Sequence, residues 1–381
     1  MLAFNFLDRF KGDKYTAVDF GHDGLKVVQF SVTEDRVALL KWGKAELPGE
    51  GIENGQVEDV DMVAGELEDL MEELSIGGSN LLFSPAVGQE FVRKHEMPMM
   101  SDDELKEALR WEVEEYMNLP PEKVASDFLI LSEDKEKGCE VLLAVMPEKV
   151  LNTYRRVFEK LDYSARVANV QDLALISLLS FQGEMKRPGM IVNLGKEMAR
   201  MIIASEDDFY LSRSVEIGGR HFTRVFKDPE MTWPEAESAK VRAEIILEEE
   251  GEEAAPKNDS SAGEEIMDVD MMVSNMDSRD EGYNVELKAL ADELVEEIKR
   301  SLDYYENRHT GDELSGIYIT GGGFRLKGLK EYVEGEISAN LEEIDPLQGI
   351  DNDLNSNDDE QGDLMVAAVG LVASEVLYNE S

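Results

Sequence analysis

Asp19 and Gly21 close an apolar run, and the same Asx-x-Gly spacing returns 174 positions later as Asn193 and Gly195, again at the end of an apolar run. A third glycine group, Gly321-Gly322-Gly323, follows the apolar stretch Gly316 to Thr320. Glycine lets a backbone approach a bulky anion because no Cβ stands in the way. A carboxylate beside such a turn can hold Mg²⁺ through the metal's own waters. Asp19 with Gly21, Gly195, and Gly321 to Gly323 are therefore, as a set, the residue types that a metal-bound triphosphate requires, with Asp19 the candidate metal carboxylate. Lys26 is placed either to reach a phosphate or to stand as a solvated strand residue. Each turn alone is common in proteins that bind nothing there; order and duplication carry the reading.

The elements around these turns repeat as well. Tyr15 to Phe20, Leu25 to Val32 and Val37 to Ala45 are three strand candidates, matched in the second half by Met190 to Leu194, Met198 to Ser205 and Phe209 to Ile217. A duplicated three-strand unit predicts an α/β protein with two similar domains facing each other across a cleft. Asp61 to Leu74, Glu148 to Leu161 and Gln171 to Gln182 have helical apolar spacing, and Ser101 to Glu104 is a capping box at the start of another helix. Val285 to Tyr305 reads as a long amphipathic helix and Leu364 to Leu377 as a buried one. The predicted organisation is a first lobe at 14–80 and 165–187, an inserted subdomain at 81–164, and a second lobe at 188–247 and 283–381.

Composition limits the partners. The 381 residues carry 83 acidic and 38 basic side chains, a net charge of −45. Such a field repels phosphate backbones and anionic lipid, which argues against nucleic acid and makes any membrane contact indirect, through a protein. Glu248 to Gly282 holds thirteen acidic and two basic residues, and Glu342 to Asp363 nine acidic and none basic; both read as unstructured, the first as an acidic disordered insertion at 248–282. The lone Cys139 offers no disulfide and fits a cytoplasmic protein. No signal peptide or membrane span is read, and the four histidines show no zinc spacing. Met1 to Gly12 reads as a frayed terminus or a short amphipathic anchor.

With this order of motifs, the chain resembles the actin, sugar-kinase and heat-shock-chaperone superfamily, Asp19 to Lys26 being the first phosphate motif, Asn193 to Gly195 the second and Ile319 to Phe324 the adenosine motif. Arg110 to Tyr116, Glu297 to Tyr305, Gly321 to Leu326 and Ala368 to Leu371 are similar to segments of the PilM family of type IV pilus assembly. The resemblance implies a two-lobed actin-like ATPase fold, two ribonuclease H-like domains with an inserted α+β subdomain. It also implies ATP and Mg²⁺ as cofactors, with His22, Glu297 and Arg300 added to the nucleotide contacts. It further implies a cytoplasmic scaffold, peripheral to the inner membrane and gated by nucleotide, that docks the N-terminal cytoplasmic peptide of a PilN-like membrane protein at the inserted subdomain. Arg110, Trp111 and Tyr116 are then candidate partner contacts, against the alternative that Trp111 and Tyr116 pack in a core.

Departures from the family pattern point to weakened nucleotide binding and weak or absent hydrolysis. His22 and Asp23 stand where family members usually carry small hydroxyl residues, and Asn193 replaces the usual aspartate of the second motif. The competing readings are a small-molecule kinase, for which no aspartate is marked as general base, and an FtsA-like membrane-tethered filament protein, for which the acidic end Tyr378 to Ser381 is the wrong charge. Self-association is left open.

Overall fold

The computed structural model describes residues 13–33, 36–48, 51–78, 81–134, 136–246, 269–352 and 365–378. The Met1 to Gly12 segment and positions 248–268 of the acidic insertion lie outside the described residues.

β1 (Asp13–Gly21), β2 (Gly24–Thr33) and β3 (Arg36–Glu46) form an antiparallel meander in which Asp19 faces Lys26. The short pair β4 (Ile52–Glu53) and β5 (Gln56–Val57) leads to α1 (Val60–Glu73), whose start is fixed by the Asp59 carboxylate accepting from the Met62 amide. β6 (Leu81–Ser84) is buried at every position because it runs parallel to β1 inside the sheet.

An inserted unit follows, made of β7 (Phe91–Met97), α2 (Asp102–Met117), β8 (Val124–Asp134) and β9 (Gly138–Pro147). Its strands lie in the order β7-β9-β8, and α2 covers one face by packing Leu105, Leu109 and Val113 against Val141, Leu143 and Val145. The chain then returns to the first lobe through α3 (Glu148–Lys160), β10 (Ala165–Ala168) and α4 (Gln171–Phe181).

The second lobe repeats the pattern with β11 (Gly189–Leu194), β12 (Ala199–Ala204) and β13 (Phe209–Val215), where Asn193 faces Arg200 as Asp19 faces Lys26. Then come α5 (Gly219–Val225), α6 (Trp233–Arg242), α7 (Val269–Arg308), β14 (Ile317–Thr320), α8 (Leu329–Ile337) and β15 (Leu341–Glu343). β16 (Asp351–Asn352) and α9 (Val366–Tyr378) end the described chain.

The sheets run β10-β6-β1-β2-β3-β16 and β13-β12-β11-β14-β15. Read outward from β3 or from β13, five strands follow in the same order and with the same directions, so the duplication extends to topology. Between the two sheets lie α4 and α9. α4 is apolar on nearly all sides, as a helix covered by two layers must be, and Ala174, Leu175 and Leu178 join Ala368, Val369 and Leu371 in one core. Gly370 is the closest approach: a Cβ there would stand 2.2 Å from the Ala174 carbonyl oxygen.

Four expectations need correction. β6 lies in the first sheet and α3 packs on α1, so the inserted unit excludes 81–84 and the helix at 148–160. A short, wholly apolar run marks a buried strand without saying which sheet buries it. The stretch 283–381 is not all second lobe, since β16 pairs with β3 and α9 packs on α4 and β1. α7 begins at Val269, so positions 269–282 are helical backbone. β15 and β16 likewise place strands within the acidic stretch expected to be unordered.

Candidate functional site

β1, β11 and β14 all end at one place. Their glycine turns, with the start of α5 and one face of α6, enclose a cleft of about 1110 Å³ lined by Asp19, Gly21, His22, Lys26, Asn193, Gly195 and Gly321 to Gly323. This is where an open α/β sheet presents ligands, at the carboxyl ends of its strands. The two halves meet over it, because Lys196 Nζ donates to the His22 backbone carbonyl at 3.0 Å.

Each turn has a local cause. Gly321 has φ +98°, and a Cβ there would lie 2.4 Å from the Leu194 carbonyl oxygen and 2.6 Å from Asn193 Oδ1. The triple glycine can therefore seat directly on the second Asx-x-Gly turn, where side chains are excluded. Gly195 is tied to α5, since the Gly219 amide donates to the Gly195 carbonyl at 2.8 Å and the Arg220 amide to the Lys196 carbonyl at 2.8 Å. Beside Gly21 the space is filled by an ion pair, Lys26 Nζ to Asp23 Oδ1 at 2.7 Å.

Asp19 is 4% exposed, and its Oδ1 has no hydrogen-bond partner. Burial pushes its carboxyl up to about 6, against the opposing pull of Lys26. Burial disfavours the Lys26 charge, yet Asp23 and Asp19 raise its pKa on balance. His22 is held below the usual imidazole range by burial, and its Nε2 is buried and unpartnered. Asn193 Nδ2 donates to Gln171 Oε1 at 2.7 Å, and Gln171 also hydrogen-bonds Asp19, so one amide of α4 bridges the two Asx side chains. Across the cleft, seven basic side chains face five acidic ones, in a chain of net charge −45. Arg200, Lys26, Arg220 and Lys240 are each held by a carboxylate, so the cleft is close to charge-balanced, which in so acidic a protein makes it less repellent to an anion than the rest of the chain.

An orphaned buried carboxylate oxygen, glycine backbones and the Lys196 ammonium group fit a magnesium-bound nucleotide. Asp19 would hold the metal through its waters, and Lys196 would face the phosphates. Asn193, engaged by Gln171, offers no carboxylate to a metal or an attacking water. Lys26 is neither solvated nor free, because Asp23 occupies its ammonium group.

Some predicted contacts stand elsewhere. Glu297 and Arg300 do not line the cleft; Glu297 pairs with Arg213 of β13 and, at 2.5 Å, with Arg300. A helix that packs on the outer face of the sheet directs these charges away from the strand ends. Arg110 and Trp111 are exposed, Trp111 by 65%, on the outer side of α2, so Trp111 joins no core. Tyr116 lies on the same helix, and its side chain is outside the described residues. Conversely, the cleft also uses Gly219, Arg220, Thr223, Glu237 and Lys240 of α5 and α6, for which the sequence offers only helix starts, Gly218-Gly219 before α5 and Pro234 in the first turn of α6.

A second concavity, about 590 Å³, lies on the face of the inserted sheet opposite α2. β8 is an edge strand of that sheet and β10 an edge of the first-lobe sheet, and both line the groove. Its lining is mainly apolar, with Leu129, Leu131, Leu142, Ala144, Val167 and Phe209, beside the charged Asp127, Arg155, Glu206, Asp208 and Glu375.

A family profile described as type IV pilus assembly protein PilM matches residues 17–256 and 272–373. The chain belongs to the PilM family. Among solved structures it is similar to one described as a PilM-PilN type IV pilus biogenesis complex, at 20% identity, 95% of this chain and 98% of that chain covered, and a TM-score of 0.76. It is also similar to the ethanolamine utilization protein EutJ from Carboxydothermus hydrogenoformans, at 12% identity, 97% and 92% coverage and a TM-score of 0.51. The two-lobed actin-like fold of PilM proteins is thus the fold of this chain, and type IV pilus assembly is its family function. Among the described residues, no helix is long and apolar enough to cross a membrane.

Proposed function

We propose that this protein is a cytoplasmic scaffold of type IV pilus assembly that binds ATP with Mg²⁺ in the cleft and takes the N-terminal cytoplasmic peptide of a PilN-like inner-membrane protein in the groove between β8 and β10. The observation that carries the peptide site is the pair of sheet edges facing one apolar groove. Edge strands leave backbone N–H and C=O groups open, and an extended peptide satisfies them while its side chains enter apolar pockets. Through that partner the protein sits at the inner membrane, which its own charge would avoid.

Asp19 and the three glycine turns support nucleotide binding. Asn193 supports binding without rapid turnover, since an amide bound to Gln171 activates no water. In this reading, a bound nucleotide contributes a tie between the lobes. Calorimetric titration with Mg-ATP and, separately, with the N-terminal peptide of the neighbouring membrane protein tests the reading. Leu129→Asp is expected to weaken the peptide about tenfold or more, since a buried leucine side chain is worth about 1.5–3 kcal/mol. Unchanged peptide affinity in that variant would exclude the groove, and fast phosphoryl transfer to a small molecule would favour a kinase.

A further inference from the structure

Three parts of the molecule wall the groove. β8 and β9 belong to the inserted unit, β10, α4 and α9 pack with the first lobe, and Ser205, Glu206, Asp208 and Phe209 come from the β12–β13 turn of the second lobe. Two elements run from this groove to the nucleotide cleft. α4 presents Gln171 to the cleft and Leu173 and Ile176 to the groove, while β12 carries Arg200 at the cleft and ends at the Ser205 turn in the groove.

The inserted unit is pinned to the second lobe at both ends of β12. Glu90, just before β7, pairs with Arg200 in a buried contact. Lys94, on β7, donates to Asp208 at 2.6 Å and also faces Glu140 of β9 at 3.4 Å. Arg200 further reaches Asp172 of α4 at 3.3 Å, so the first lobe, second lobe and inserted unit meet at one guanidinium. Arg200 Nε and Asp172 Oδ1 have no hydrogen-bond partner among the described residues, so this buried network is not fully satisfied.

We propose that the inserted unit moves with the second lobe about Arg200, so that closing the lobes on a nucleotide closes the groove on the peptide. The second lobe carries Asp208, and Asp208 carries β7 and β9 through Lys94, whereas β10 and α9 stay with the first lobe. Positive coupling follows, because a groove already fixed costs a peptide less to enter. The coupling is reciprocal, and peptide tightens nucleotide by the same factor. The proposal rests on the two-site reading above.

The test is anisotropy of the labelled partner peptide on the full chain, with and without saturating Mg-ATP. In the wild type, peptide affinity is expected to rise by at least about fivefold with Mg-ATP, to change by less than about twofold in Lys94→Met, and to recover in Lys94→Arg. A melting curve establishes that each variant is folded. Both ligands binding singly with no mutual effect in the wild type overturns the coupling and leaves the two sites standing. Undiminished coupling in Lys94→Met also overturns it. If either ligand fails to bind the wild type alone, the two-site reading falls and takes the coupling with it.

Discussion

Lys196 Nζ donates to the His22 carbonyl, and these two residues occupy equivalent positions of the duplicated unit, 174 apart. The two lobes are thus joined at the cleft by a hydrogen bond between repeat-equivalent residues. Its geometry puts an ammonium group between the two turns that would flank a phosphate chain.

Lys196→Met removes that ammonium group while keeping most of the side-chain length. An exposed hydrogen bond of this kind contributes about 1 kcal/mol or less, so urea unfolding should change little. Mg-ATP affinity should fall about tenfold or more, the worth of a charged hydrogen bond of about 1.5–3 kcal/mol. Calorimetry on the two proteins checks both halves of this expectation.

Asp19 makes stability depend on pH in an unusual direction for a carboxylate. Its carboxyl sits near 6 in the fold against 3.8 when free, so the folded state keeps a proton that the unfolded chain has lost. This group is neutral toward stability below about pH 4 and costs progressively more as pH rises to 6. Above 6 it costs about 3 kcal/mol, because each tenfold change in proton affinity is worth about 1.4 kcal/mol. Asp19→Asn should therefore be more stable than wild type at pH 7.5, with the difference vanishing near pH 4. Mg-ATP binding should be weakened in the same variant, and in the wild type it should fall below pH 6 as the carboxylate is protonated. Denaturant melts of both proteins across pH 4 to 8 decide it.

Gly321→Ala and Gly322→Ala separate backbone geometry from mere glycine content. At Gly321 a methyl group meets the Leu194 carbonyl at 2.4 Å with φ at +98°, whereas at Gly322 nothing stands within 4 Å of the added carbon. Gly321→Ala should lose about 1–3 kcal/mol and most of its nucleotide binding. Gly322→Ala should unfold like the wild type in urea.

The residues that could be read in sequence were those whose chemistry is local. Glycine turns at the ends of apolar runs announced Asp19, Gly21, Gly195 and Gly321 to Gly323, because a strand that stops at a glycine has one end at which to present it. The groove was illegible, since β8 and β10 are some forty positions apart in sequence and belong to different sheets. Core packing, the alternative to a partner contact for Trp111, fails for a related reason: spacing places an aromatic on one face of an amphipathic helix, yet only packing tells which face is covered, and α2 turns Leu105 and Leu109 inward and Trp111 outward. Glu297 and Arg300 came from the family resemblance alone, and a likeness of segment does not fix where α7 lies on the sheet; here Glu297 pairs with Arg213 and Arg300, outside the cleft lining. α9 was recognised as buried, but apolar character all round left open which lobe would bury it.

Trp111→Ala separates the proposed groove from the outer face of α2 as the place where the peptide docks. With Trp111 65% exposed on the face of α2 away from the groove, its loss should leave partner-peptide affinity within about twofold of wild type, where a central interface aromatic would cost about 2 kcal/mol or more. The same anisotropy titration that reads Leu129→Asp measures this, and a large loss in Trp111→Ala would move the peptide to the outer face of the inserted unit.

Arg200 is where breaking one contact should be felt most. It is buried with Glu90 and Asp172, and Ser212 Oγ adds a hydrogen bond to Asp172 Oδ2 at 2.5 Å. Burial raises the Glu90 pKa even with Arg200 beside it, so this carboxylate depends on the guanidinium to stay charged. Arg200→Met leaves two buried carboxylates without their cation, and breaking a buried pair in this way costs about 3–5 kcal/mol. If the loss comes from stranded charge rather than from lost packing, adding Glu90→Gln and Asp172→Asn to Arg200→Met should recover a large part of it. A triple variant as unstable as the single one in guanidinium unfolding would assign the loss to the shape of the arginine and not to its charge.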